Sequence, residues 1–173
     1  MTLFDRFKKV KAFVFDVDGV LTDGRVLVME NGEQLRTFHT KDGYALQLAV
    51  KHQYPVLIIT GGKSLGVKSR MEALGIRDVY MDVSDKENIL ATWIKQYGLD
   101  WEDVLFMGDD VPDLTVMKKV GMPVCPSDAI EDVKHVCAYI SPRCGGVGAV
   151  RDVIERVMRL KDQWNQDPTL KST

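Results

Sequence analysis

The stretch Ala12-Phe13-Val14-Phe15-Asp16-Val17-Asp18-Gly19 decides the fold. From Ala12 to Val17 it is a short apolar run rich in aromatic and β-branched residues, which predicts a buried strand. Strands of that kind occur in parallel sheets whose faces are covered by helices. In such sheets ligands bind beyond the carboxyl ends of the strands, and this end carries Asp16, Asp18 and Gly19.

Outward from this strand the chain alternates strand and helix. Val26 to Met29 and Leu35 to His39, joined through Glu30-Asn31-Gly32, read as an inserted β-hairpin, because Asn-Gly favours tight turns. Tyr44, Ala45, Leu48 and Ala49 recur at helical spacing. Val56 to Thr60 is a second core strand, closed by Gly61-Gly62. A helix over Lys63 to Leu74 ends at Gly75, and Asp78 to Met81 is a short strand. Ser84-Asp85-Lys86-Glu87 has the form of a capping box and opens a helix reaching Tyr97. Val104 to Met107 is a strand followed by Gly108-Asp109-Asp110. Met122 to Val124 and Ala138 to Ile140 are short strands around a helix near Ser127 to His135. Val150, Val153, Ile154, Val157, Leu160, Lys161 and Trp164 form one stripe of a final helix. The expected fold class is α/β: a Rossmann-like, doubly wound, mainly parallel sheet with a hairpin insertion at about 24–40 and no cap domain. A single domain spans 1–164, and the polar segment 165–173, which contains Pro168, reads as a flexible tail.

The 173 residues are 45% apolar and 28% charged with a net charge of −2, the mix of a globular chain rather than a disordered one. There is no basic stripe for nucleic acid. Nothing approaches the roughly 18 consecutive apolar residues of a membrane span. Met1 to Lys11 carries Asp5, Arg6, Lys8 and Lys9 and lacks the apolar run of a signal peptide. Cys125, Cys137 and Cys144 are odd in number and form no CxxC pair, which fits neither a disulfide framework nor a zinc site. A reducing, cytoplasmic setting follows, with no nucleic-acid or membrane partner.

Polar residues collect where the strands end. Asp16, Asp18, Thr60, Asp109, Asp110 and Asp113, together with Lys86 at the start of a helix, fall on one edge of the expected sheet. Each alone has a plain reading as a turn, a cap or surface decoration. Together, several carboxylates would repel one another unless a cation sat among them, and Mg²⁺ suits oxygen ligands. The chemistry that needs such a set is phosphoryl transfer. One aspartate attacks phosphorus, a second carboxyl handles protons, and a lysine and a hydroxyl hold the equatorial oxygens.

Asp16-Val17-Asp18-Gly19-Val20-Leu21-Thr22-Asp23-Gly24, Thr60, Lys86 and Gly108-Asp109-Asp110-Val111-Pro112-Asp113 resemble the four motifs of the haloacid dehalogenase superfamily of phosphohydrolases. The likeness runs from about Lys11 to Leu160. Within the superfamily, Gly19 to Gly24 is similar to the branch that dephosphorylates 3-deoxy-D-manno-octulosonate 8-phosphate. Phe38-His39-Thr40-Lys41-Asp42-Gly43 and Gly145-Gly146-Val147-Gly148-Ala149 belong to the same likeness. The resemblance implies a Mg²⁺-dependent phosphoric monoester hydrolase of lipopolysaccharide biosynthesis that works through an aspartyl-phosphate. It makes Asp16 the nucleophile, Asp18 the general acid/base, and Thr60 and Lys86 the phosphate binders. Asp109 becomes a metal ligand with Asp16 and the backbone carbonyl of Asp18, while Asp110 and Asp113 hold metal waters or orient Lys86. It implies substrate contacts at Gly19, Gly61 and Gly62. It also implies a homotetramer in which four hairpins close a central barrel, with the loop 145–148 or the tail near a shared site.

One position departs from the pattern. Many members carry Ser-Gly-Arg where this chain has Thr60-Gly61-Gly62-Lys63, so the cation that meets the substrate passes to Lys63 or Arg70. A phosphatase of a nine-carbon 2-keto sugar acid 9-phosphate is therefore the near alternative. A receiver domain of two-component signalling is the distant one. It places its acidic pair after the first strand and leaves the pair after Val104 and the hairpin without a role. A non-catalytic regulatory domain on this fold has no need of both Asp16 and Asp18. Trp93, Trp101 and Trp164 read as anchors, His52 and His135 as surface or packing residues, and His39 as a candidate contact to a neighbouring subunit.

Overall fold

The computed structural model describes residues 1–170. Six strands form one sheet in which every hydrogen-bonded pair is parallel: β1 (Ala12–Phe15), β4 (Val56–Ile59), β5 (Asp78–Tyr80), β6 (Val104–Met107), β7 (Met122–Cys125) and β8 (Tyr139–Ile140). Their order is β5-β4-β1-β6-β7-β8. Among the sheet strands alone that is 3-2-1-4-5-6, the doubly wound order, whose winding reverses between β1 and β6. Phe15 lies opposite Ile58 on one side and Met107 on the other. This register brings Asp16, Thr60 and Gly108, each the first residue past its strand, to one edge.

β1, β4, β6 and β7 are buried along their whole length because both faces are covered, and the alternation of side chains splits the core in two. Phe13, Phe15 and Ile58 face α1 (Leu3–Lys9), α2 (Thr40–Lys51), α3 (Leu65–Ala73) and α7 (Ala149–Arg159). Ala12, Val14, Leu57 and Phe106 face α4 (Lys86–Gln96), α5 (Leu114–Met117) and α6 (Glu131–Val136). Between β1 and α2 stands only the hairpin of β2 (Leu27–Val28) and β3 (Gln34–Leu35), with Leu27 opposite Leu35. Its turn is a three-residue loop in which Gly32, at φ +84°, donates its N–H to the Met29 carbonyl, a three-residue hairpin connection with glycine in the left-handed position.

Several expectations are corrected. The hairpin strands shrink to two residues each, and their residues are exposed. The helix α1 was not anticipated; Thr2 and Asp5 close a capping box and Phe7 is buried. The cap of α4 is Asp85, whose carboxylate accepts the Asn88 N–H, rather than Ser84. Helix α3 begins after Ser64, which caps it, so Lys63 lies outside. Ser127 to Ile130 is a turn preceding α6. Helix α7 stops at Arg159, because Asp162 adopts φ 55° and the Gln163 N–H closes on the Met158 carbonyl, a left-handed helix end. Trp164 lies beyond it yet meets Tyr44 edge-on at 6.1 Å. Residues 165–170 form no helix or strand, but Asp167 donates its N–H to the Tyr44 hydroxyl at 2.8 Å and pairs with Lys51. The rest of the expected tail, 171–173, lies outside the described residues.

Candidate active site

The loop after β1 folds on itself. The Val17 carbonyl accepts the N–H groups of Val20, Leu21 and Thr22. The buried Thr22 hydroxyl donates to the same carbonyl at 3.3 Å and accepts the Gly24 N–H at 3.2 Å. Gly19 sits at φ +83°, and a Cβ there would lie 2.0 Å from Asp109 Oδ2, so its bareness makes room for Asp109. Gly19 itself does not line the cavity described below. The loop at 145–148 presses on this turn from behind, with the Gly146 N–H donating to the Val20 carbonyl at 3.0 Å.

Asp16, Asp18, Thr60, Gly61, Gly62, Lys86, Asp109, Asp110 and Asp113 line one cavity of 460 Å³. Lys86, at the first turn of α4, is buried, with Nζ 2.7 Å from Asp113 Oδ1 and 3.0 Å from Asp16 Oδ1. Only the first contact has hydrogen-bond direction; Asp16 Oδ1 has no aligned donor. The fully buried Asp113 also accepts the Asp109 N–H through Oδ2 at 3.1 Å, so both its oxygens are taken up in orienting Lys86 and Asp109. The Thr60 hydroxyl accepts the Gly62 N–H at 3.0 Å, and Asp110 is exposed and caps the turn at 111–113.

The electrostatics follow from crowding three carboxylates around one ammonium. Oxygens of Asp16, Asp109 and Asp113 fall within 4.8 Å of one another. Burial pushes Asp16 up to about 6, against the pull of Lys86, and the charge on Asp113 adds to the rise. Burial, then repulsion from Asp16, Asp113 and Asp110, pushes Asp109 up to about 7. Burial opposes the charge on Lys86, but Asp16 and Asp113 outweigh it and hold the lysine above its usual value. Buried Oδ1 atoms of Asp16 and Asp109 lack hydrogen-bond partners, a costly state for a carboxylate. Two buried carboxylate oxygens without an aligned donor, one of them beside the Lys86 ammonium, in an all-oxygen donor set fit a hard divalent cation.

Lys63 and Arg70 are not in this cavity. They line an adjoining groove of 790 Å³ between the hairpin and α3, which meets the first at Gly61 and Gly62. One residue at the site carried no signal in the sequence, and another, Asp42, lay in the likeness at 38–43 without a role. Arg36, from the hairpin, grips Asp18; no motif contains it and it is 18 residues away. Asp42 is buried and accepts the N–H groups of Gly148 and Arg151 at 3.2 and 2.7 Å, tying the start of α2 to the start of α7. His39 caps α2 by accepting the Lys41 N–H at 3.2 Å.

Comparison with known proteins finds likenesses over most of the chain. Residues 75–154 match the family of haloacid dehalogenase-like hydrolases. The 3-deoxy-D-manno-octulosonate 8-phosphate phosphatase KdsC of Escherichia coli is 35% identical over 151 residues, 87% of this chain and 80% of that protein. The Yersinia pestis enzyme of the same name is 33% identical over 165 residues, 93% of this chain and 86% of the other. A crystal structure of the phosphatase from Yersinia pestis superposes with TM-score 0.91 at 31% identity, covering 93% of this chain and 87% of that one. The phosphatase of Moraxella catarrhalis, solved with a magnesium ion, a phosphate ion and KDO, superposes with TM-score 0.90 at 31% identity, covering 94% and 93%.

Proposed function

The chain belongs to the haloacid dehalogenase-like hydrolases, in the family of the 3-deoxy-D-manno-octulosonate 8-phosphate phosphatases, and we propose that it hydrolyses that phosphomonoester to KDO and phosphate. The observation that carries the reading is the cluster of Asp16, Asp109 and Asp113 about Lys86 where the sheet reverses its winding. Asp16 is the nucleophile: its carboxylate attacks phosphorus in line with the departing sugar oxygen, which takes a proton from Asp18. Asp18 then removes a proton from water, and the water attacks the phosphorus of the aspartyl-phosphate, releasing phosphate and restoring Asp16. The Lys86 ammonium and Thr60 hydroxyl hold the equatorial oxygens, where charge spreads in the transition state. Asp16, Asp109 and the Asp18 carbonyl would hold Mg²⁺, which when bound would supply the charge that lets a carboxylate meet a phosphate. We place the reaction in the cytoplasm, in the supply of sugar acid for lipopolysaccharide; all three cysteines are free, in keeping with a reducing compartment.

Phosphate release from the eight-carbon 8-phosphate and from nine-carbon 2-keto acid 9-phosphates tests the substrate. The eight-carbon compound is expected to give the higher kcat/KM, by at least about tenfold, or about 1.4 kcal/mol. The reverse order moves the reading to a nine-carbon phosphatase, and no release from either overturns it.

The raised carboxylates fix the direction of the pH response. Native Asp16 and Asp109 hold protons up to about 6 and about 7, whereas the usual carboxylate value is 3.8. With more protons bound in the native state, stability in EDTA falls as pH rises from about 4 through those values. A cation must displace the same protons, so Mg²⁺ affinity rises with pH and levels off above about 7. Calorimetric titration and the Mg²⁺-induced gain in Tm, compared at about pH 5 and about pH 8, check this; a larger gain at the lower pH contradicts it.

We further propose a homotetramer. Val26, Leu27, Val28, Met29 and Leu35 are between 38% and 64% exposed on the hairpin. A lone two-stranded hairpin is marginal in water, and closing four into a barrel removes its free edges. Light scattering is expected to give four times 19.5 kDa; a fully active monomer at working concentration rules it out.

A further inference from the structure

The hairpin delivers one side chain into the site. Arg36 directly follows β3, whose residues are exposed, yet its own side chain is 6% exposed. It takes the Asp18 carboxylate with two parallel bonds, Nε–H to Oδ1 at 2.6 Å and Nη2–H to Oδ2 at 3.2 Å. Its Nη1 is buried and has no acceptor, so the side chain is committed to this contact without full satisfaction elsewhere. Space for the fork comes from Gly62. A Cβ there would lie 3.2 Å from Arg36 Nη2, 3.2 Å from Asp18 Oδ2 and 3.4 Å from Thr60 Oγ1.

We propose that Arg36 is a positioning residue for proton transfer: it fixes the orientation of the Asp18 carboxylate, which makes the hairpin part of the catalytic machinery. The proposal rests on the phosphatase reading in which Asp18 is the acid/base. A bidentate guanidinium fork sets both the distance and the plane of a carboxylate, which a lysine cannot reproduce. Asp18 is otherwise free to turn, because its side chain is one-third exposed and hangs from a loop rather than a strand. Proton transfer tolerates little misplacement; a displacement near 1 Å costs on the order of a hundredfold in rate. An ion pair that merely docked the hairpin would move stability and leave kcat alone.

The test is a double-mutant cycle on the full chain with Mg²⁺, using Arg36→Gln, Arg36→Lys, Asp18→Asn and the two combined variants. Arg36→Gln is expected to lower kcat for the sugar phosphate by about 10- to 100-fold while KM stays within about twofold. Arg36→Lys recovers part of the loss. In the Asp18→Asn background, followed by residual turnover of the same sugar phosphate, Arg36→Gln makes no further difference, because the group it positions is gone. An equal loss in both backgrounds overturns the proposal, as does an unchanged kcat. A loss confined to KM overturns it too and assigns Arg36 to substrate binding. Should Arg36→Gln fail to fold, the Arg36→Lys pair, which keeps the charge, carries the same cycle. Failure of the wild-type chain to hydrolyse any phosphomonoester defeats the underlying phosphatase reading; a working wild type with an additive cycle defeats only the role of Arg36.

Discussion

Asp16→Asn is expected to bring turnover below about a thousandth of wild type, a loss of at least about 4 kcal/mol of transition-state stabilisation, with the fold intact. An amide oxygen is too poor a nucleophile to form the phosphoenzyme, and neither other carboxylate of the cluster is free to take over. Asp113 is fully buried with both oxygens engaged by Lys86 and the Asp109 N–H, and Asp109 sits behind Gly19 with its Oδ2 where a Cβ would be. The fold survives because the change removes a buried charge rather than a packed group. Asp16 Oδ1 has no aligned hydrogen bond to lose; burial already opposes its ionisation, and Lys86, which offsets that in part, keeps Asp113 as its partner. Melting in EDTA is therefore expected to be no lower than wild type at neutral pH. Phosphate release above a thousandth of wild type, with the variant confirmed by mass spectrometry, would sink the assignment of the nucleophile.

What the sequence made legible, and what it hid, divides along a physical line. β1, β4 and β6 are buried on both faces, so their identity is written in unbroken apolar runs, and the register then forces Asp16, Thr60 and Gly108 to one edge. The site residues that follow strand ends were legible for that reason. Lys86 was legible as a helix start, although its cap was misassigned: both Ser84 and Asp85 can accept an N–H, and the choice depends on how the chain leaves β5 through Asp82 at φ 59°. The end of α7 was overrun because the apolar stripe continues to Trp164, which packs without being helical. Arg36 was invisible, and Asp42, though inside the likeness at 38–43, had no legible role, because each acts across a tertiary gap. A hairpin's alternation says which face is apolar; it does not say that an arginine beyond β3 turns back 18 residues to meet Asp18.

Asp18→Asn is expected to divide the two half-reactions. A sugar alkoxide is a strongly basic leaving group and needs a proton as the P–O bond breaks, whereas p-nitrophenolate leaves unaided. With the sugar phosphate the variant is expected to lose about 10²–10⁴ in kcat, limited by formation of the aspartyl-phosphate. With p-nitrophenyl phosphate that first step survives, because Asp16, Lys86 and Thr60 are untouched, and the missing base slows only hydrolysis of the phosphoenzyme. Rapid mixing is therefore expected to show a burst of about one p-nitrophenolate per site followed by slow turnover, and no burst of sugar from the sugar phosphate. The placement of Asp18 agrees with this division. It lines the cavity with Asp16 and Lys86 and lies outside the three-carboxylate cluster of Asp16, Asp109 and Asp113; Arg36 takes one lone pair on each of its oxygens, and the others are left for the leaving oxygen and then for water. A steady loss on p-nitrophenyl phosphate with no burst means that Asp18 acts before the first bond breaks, and its role as the proton carrier fails.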